Sequence, residues 1–216
     1  MTEFNKLYPA FAANRLNGCN LVIHEHENRD KPNTLQTVTV TGLTGWEFSR
    51  NFLENAKSFH SQAQKSPLAG MECHEIMVKE CDGLFCREEN GQIVFHFFEL
   101  KSSFDVDNLA KAKDQITGSY LKLLHLLAPL QQFEQKKTNI TMKGHIFIYE
   151  PDTEKLSTIK TLSDRKARFC LRIHSDKSYF MPSERCSSYW EPLWCPDIAL
   201  DLTELPYGTA SHQISL

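Results

Sequence analysis

Residues 80–103 read Glu-Cys-Asp-Gly-Leu-Phe-Cys-Arg-Glu-Glu-Asn-Gly-Gln-Ile-Val-Phe-His-Phe-Phe-Glu-Leu-Lys-Ser-Ser. Asn90-Gly91 separates two apolar-rich runs, residues 75–87 and 92–101. A type I′ turn needs positive φ at both central residues, and Asn-Gly supplies it cheaply, so the stretch reads as a two-residue β-hairpin. Counting outward from the turn, Asp82 opposes Glu99 and Glu80 opposes Lys101. Opposed residues project to one side of a sheet, as do residues two apart on a strand, which places all four in one patch at the open end of the hairpin. Asp82 and Glu99 fall on a non-hydrogen-bonded pair, whose Cα atoms approach to about 4.5 Å. Two carboxylates that close repel unless a cation lies between them or one holds a proton. A bulge in the ladder would shift this register by one.

The strand bearing Glu99 is apolar on both faces, with Phe95 and Phe97 on the Glu99 side and Val94 and Phe98 on the other. Such a strand is central and buried, and charges at its end are costly unless paired or metal-bound. Downstream, Leu109, Ala112, Ile116, Tyr120, Leu123 and Leu127 recur at spacings of three and four over residues 104–128, an amphipathic helix with Asp105 or Asp107 near its start. A buried-type strand over 144–149, a short helix over 153–162 and an alternating strand over 167–173 follow. Upstream, residues 21–24 and 34–41 read as a hairpin with a long polar loop. Trp46, Phe48, Phe52, Leu53, Ala56 and Phe59 then give a helical pattern that carries Glu47 and Glu54. The tail, rich in Pro, Trp and Cys, gives no pattern. This order specifies an α/β domain with a central mixed sheet flanked by helices.

Asp82, the hairpin, Glu99-Leu100-Lys101, Ser102-Ser103 and the helix behind them resemble the PD-(D/E)XK nuclease superfamily, over about residues 46–150. Cys81 stands where the family name has proline, a common departure. The resemblance implies a restriction-endonuclease-like core and a catalytic set of Asp82, Glu99, Lys101, Glu47 and Gln115. Within that set Asp82, Glu99 and the Leu100 carbonyl would hold Mg²⁺, with Mn²⁺ as a substitute. Lys101 would orient or activate the attacking water. Glu47, with Glu54 behind it, stands for the glutamate that a preceding helix often adds. Gln115 fits the glutamine many relatives carry on the following helix, and Tyr120 is a looser match to a tyrosine. Physically, Mg²⁺ wants hard oxygen ligands and keeps several waters. It polarises a phosphoryl oxygen and lowers the pKa of bound water, while a nearby lysine adds positive charge where negative charge grows. Lys111 and Lys113 are candidate contacts to backbone phosphate, with a solvated helix face as an equal alternative.

What the resemblance implies is a Mg²⁺-dependent endonuclease acting on DNA, with RNA left open, in prokaryotic restriction or antiviral defence. It would work as a homodimer or as a subunit of a larger defence complex. A reading from another class is a catalytically silent nuclease-fold subunit serving as a binding or assembly module.

Composition bounds these readings. The chain has 216 residues, 41% hydrophobic and 24% charged, which suits one globular domain over 1–216, with 151–216 as a C-terminal extension of it. A net charge of −3 lacks the basic excess of sequence-independent DNA binders, so DNA contact would need a local basic surface or a partner. The run Arg165, Lys166, Arg168 and Arg172 reads as the solvated face of an edge strand ahead of a DNA contact. Seven cysteines at irregular spacing suit a reducing compartment, hence a cytoplasmic protein. Cys73, His74, Cys81 and Cys86 lack the paired spacing of zinc sites and read as buried thiols. The longest apolar stretch, 121–130, is broken by His125 and Pro129, so no membrane span is expected. Residues 7–13 contain Pro9, follow Glu3 and are too short for an export signal.

Overall fold

The computed structural model describes residues 1–25, 34–48, 79–103, 106–130, 140–149, 169–173, 177–181, 199–207 and 209–216. Along the chain lie α1 (Thr2–Leu7), β1 (Asn14–His24), β2 (Thr37–Glu47), β3 (Gly83–Glu89), β4 (Gln92–Lys101), α2 (Val106–Leu127), β5 (Ile140–Tyr149), β6 (Phe169–Ile173), β7 (Lys177–Met181), β8 (Ala199–Leu205) and β9 (Ser211–Ser215). Asn90 and Gly91 take φ of 51° and 78°, the left-handed values of the expected turn. The β3–β4 register runs from Glu89↔Gln92 to Gly83↔Phe98, as counted from that turn. The strands form one mixed sheet in the order β1-β2-β3-β4-β5-β8-β6-β7, with β9 beside β2. β1 to β4 are an antiparallel meander, whereas β4, β5, β8 and β6 run parallel. Sequence thus anticipates the α/β class and the mixed sheet. Among the described residues no helix is long and apolar enough to cross a membrane.

Alternation along β4 divides the core. Phe95 and Phe97 pack on one face with Leu109, Ala112, Ile116 and Leu123 of α2 and Phe4 of α1. Phe98 and Leu100 pack on the other with Phe85, Phe147 and Tyr149. Among the described residues that second face is covered by the β1–β2 hairpin, whose Leu21, Ile23, Val38 and Val40 belong to the same cluster. The hairpin reaches it by bending. Gly18 and Gly42 take φ of 64° and 69°, and the β1–β2 register slips on both sides of Cys19. Bulges of this kind turn a strand pair sharply. On the edge facing β3, β2 consequently has two neighbours: Thr37–Thr41 pair with β9, and only Trp46 and Glu47 reach β3. Ile23 then lies over the hairpin, its Cγ1 3.3 Å from where a Gly83 Cβ would stand.

Two expectations are corrected here, and one unassigned stretch is filled. Trp46 and Glu47 belong to β2, and Phe48, just after it, donates its N–H to the Leu84 carbonyl, so none of the three is helical; from residue 49 on, that helix lies outside the described residues, as does the helix over 153–162. β3 starts at Gly83, so residues 79–82 are not strand. The tail supplies β8, which lies inside the sheet between β5 and β6.

Candidate functional site

β3 ends where its companion does not, and the site lies in that gap. Asp82 N–H donates to the Phe98 carbonyl at 2.9 Å, and there the chain leaves the ladder. The Asp82 carboxylate takes the place of a strand partner: its Oδ2 accepts the Leu100 N–H at 2.8 Å. Since a strand residue's N–H and C=O project to the same edge, the Leu100 carbonyl faces this gap too. On β4, Glu99 is fully buried and paired with Lys101, whose Nζ donates to Glu99 Oε1. Glu99 Oε2 has no hydrogen-bond partner among the described residues.

A third carboxylate comes from the bent hairpin. Glu25 follows β1, is 4% exposed, and acts electrostatically on Asp82, Glu99 and Lys101 alike. Its position is fixed by its own N–H to the Gln36 carbonyl at 2.9 Å. Nearby, Leu35 N–H donates at 2.9 Å to the hydroxyl of Ser102, next to Lys101. Sequence reasoning missed Glu25, although one signal was present: Leu21, Ile23 and Glu25 share a face of the alternating run.

Burial and the neighbouring charges shift Asp82, Glu99 and Lys101. Burial, then Glu99 and Glu25, raise the Asp82 carboxyl well above its ordinary value. Burial pushes Glu99 up to about 8, Lys101 pulling against it and Glu25 adding to it. For Lys101 burial works downward, but the carboxylates of Glu99, Asp82 and Glu25 more than reverse it and hold the ammonium charged. The cluster carries excess negative charge that a proton or a cation must balance. Hard oxygen donors and an orphaned, buried carboxylate oxygen suit Mg²⁺. Among the described residues no three His, Cys, Asp or Glu side chains converge to hold a metal ion; the set named from sequence is two carboxylates and a carbonyl.

The remaining sequence candidates are dispersed. Glu47 lies at the far end of β2, paired with Asn14 and Phe85, and burial alone raises its carboxyl. It does not join the acidic cluster, and Glu54 lies outside the described residues. Glu80 meets Lys122 at 3.5 Å rather than Lys101, because the ladder stops before reaching it. Gln115 approaches the site's backbone, donating from Nε2 to the Glu80 carbonyl at 3.1 Å. Tyr120 packs edge-on against Phe97, as part of the core. Lys111 is exposed, but Lys113 is 3% exposed and lies 3.5 Å from Asp114, which removes it from any phosphate-binding surface. Cys81 and Cys86 are buried free thiols, and burial pushes each up to about 12.

A separate polar cluster lies on the other face, toward the turn. His96 Nε2 meets Glu89 Oε1 at 3.0 Å, and His96 Nδ1 meets His145 Nε2 at 2.9 Å. A carboxylate only accepts, so neutral His96 donates from Nε2 and receives the His145 Nε2–H at Nδ1. Arg87 and Lys143 hold Glu89 at 2.6 and 2.7 Å. The rings stack with Phe98. Burial, with Arg87 beside His96 and with His96 beside His145, lowers the two imidazoles to about 4 and about 3.

Comparison with protein-family models, with curated proteins and with solved structures finds no match to this chain.

Proposed function

We propose that this protein is a Mg²⁺-dependent nuclease that hydrolyses phosphodiester bonds, with DNA as its substrate, in restriction or antiviral defence. One observation carries the chemistry: Glu99 pairs with a buried lysine at a strand end, Asp82 and Glu25 act electrostatically on that same lysine, and Glu99 Oε2 has no hydrogen bond among the described residues. An antiparallel hairpin, a long helix and a strand parallel to β4 follow one another around it, an order that supports a restriction-endonuclease-like core. Asp82 and Glu99, with the Leu100 carbonyl, would hold the ion, and Glu25 would add negative charge in place of the Glu47 named from sequence. Bound Mg²⁺ supplies Lewis acidity toward a phosphoryl oxygen and a more acidic water. Lys101, held charged beside Glu99, places a positive charge against the negative charge that grows on the phosphoryl group. Polar backbone at the gap orients Asp82 through Leu100 N–H.

Incubating the protein with duplex DNA, single-stranded DNA and RNA, each with Mg²⁺, Mn²⁺ or chelator, tests the reading. Cleavage that needs the metal and disappears in Asp82→Asn and Glu99→Gln is the expected result. A wild-type protein that cuts none of them under any divalent-metal condition leaves the silent binding or assembly module.

A further inference from the structure

The gap at the end of β3 is made by α2. Carried on at its register, the β3–β4 ladder would pair Leu100 with Cys81; after the step at Asp82, whose N–H goes to the Phe98 carbonyl, it would pair Leu100 with Glu80. The helix holds both residues. Cys81 N–H donates to Ser119 Oγ at 2.8 Å, and Gln115 Nε2 donates to the Glu80 carbonyl at 3.1 Å. Lys122, fully buried, stands 3.5 Å from Glu80 Oε2. Residues 115, 119 and 122 are spaced i, i+4 and i+7, one stripe of a helix. Buried hydroxyls and amides are costly unless bonded, so Ser119, at 0% exposure, commits its oxygen to this backbone.

We propose that Ser119 and Gln115 are positioning residues: they withhold the Glu80–Cys81 backbone from the ladder, so that Leu100 N–H is left to the Asp82 carboxylate. Resting on the nuclease reading, this explains how a hairpin with an ideal turn is left open at its other end. It also gives Gln115 a role other than the catalytic one inferred from resemblance. Without Ser119 Oγ the Cys81 N–H must find another acceptor, and the β4 edge at Leu100, where no strand pairs among the described residues, is beside it. The ladder would then extend by one step and turn Asp82 away from Leu100.

Ser119→Ala, Ser119→Thr and Gln115→Ala, each in the full chain, test this with Mn²⁺ as the probe. Ser119→Ala should bind Mn²⁺ about 10–100-fold more weakly, the usual cost of losing an outer-shell support, with an unchanged or higher Tm. Ser119→Thr, which keeps the oxygen, should recover the affinity. A metal-free readout accompanies it: Asp82→Asn should move the Leu100 amide proton resonance in the wild-type background and leave it unmoved in Ser119→Ala. Full Mn²⁺ affinity in Ser119→Ala, with Leu100 still responding to Asp82→Asn, overturns the proposal. If Ser119→Ala does not fold, Gln115→Ala carries the same two measurements. If the wild type binds no Mn²⁺, the metal reading falls by itself, and the Leu100 resonance alone decides on the positioning role.

Discussion

Glu99 has a carboxyl raised to about 8 from an ordinary 4.5. Between those values the folded chain keeps a proton that the unfolded chain has released. Its contribution to stability is therefore whole below the unfolded value and is lost as pH rises through about 8. In chelator, the Tm of wild type should fall relative to that of Glu99→Gln between about pH 5 and pH 8. Mg²⁺ should restore wild type most at the upper end, since a ligand of the native state stabilises it by mass action. A Tm difference flat across that range would show that Glu99 is not raised. Lys101→Ala should cut cleavage by a factor on the order of 10²–10³. It should also lower metal-free stability by stranding Glu99, while Mn²⁺ binding persists. Glu99 and Lys101 share a face of β4 as the register counted from Asn90-Gly91 requires, whereas Asp82, expected opposite Glu99, steps out of the ladder and meets the Leu100 N–H instead. Glu80 was misassigned and Glu25 missed for one physical reason: each depends on where a strand leaves its ladder or bends, which alternation does not encode.

Among elements, β2 shows how such a bend is written into sequence. A Cβ on Gly45 would lie 2.3 Å from the Cys86 carbonyl oxygen and 2.5 Å from the Phe85 ring. Gly42 has nothing within 4 Å of that position and is glycine only for its φ of 69°. The two should therefore respond differently to alanine. Gly42→Ala should cost about 1–2 kcal/mol, the left-handed backbone penalty. Gly45→Ala meets backbone that cannot step aside and should cost more than the roughly 1–3 kcal/mol of ordinary overpacking. Urea unfolding of both variants measures the order; a costlier Gly42→Ala would contradict it. The bend also explains the misread helix. Val38 and Val40 alternate, but the slip at Gly42 moves the next buried residue to Leu43, and Trp46 and Phe48 then look helical in spacing. β4 and α2 carry no such slip, and their periodicities were readable to within a few residues, whereas β3, expected from residue 75, begins only at Gly83.

Across the whole molecule, His96 and His145 should set the acid limit. Both are lowered, from 6.5 to about 4 and about 3, so their contribution is present above the unfolded value and lost as pH falls through the folded ones. Replacing both by Phe, which suits the ring stack around Phe98, should flatten the fall in Tm between about pH 6 and pH 4; an unchanged acid limb would exclude them as its cause. The sheet that joins these parts draws on the two ends of the sequence. β8 fills the position between β5 and β6, and β9 sets Ser211 beside Thr37. During translation, β2 and β5 therefore emerge from the ribosome long before the strands that cover their edges. An open edge is a template for pairing with another chain, and closing distant pairs is slow. The nascent protein is thus most prone to aggregate just before residues 199–215 appear, and chains terminated ahead of them should collect in the insoluble fraction.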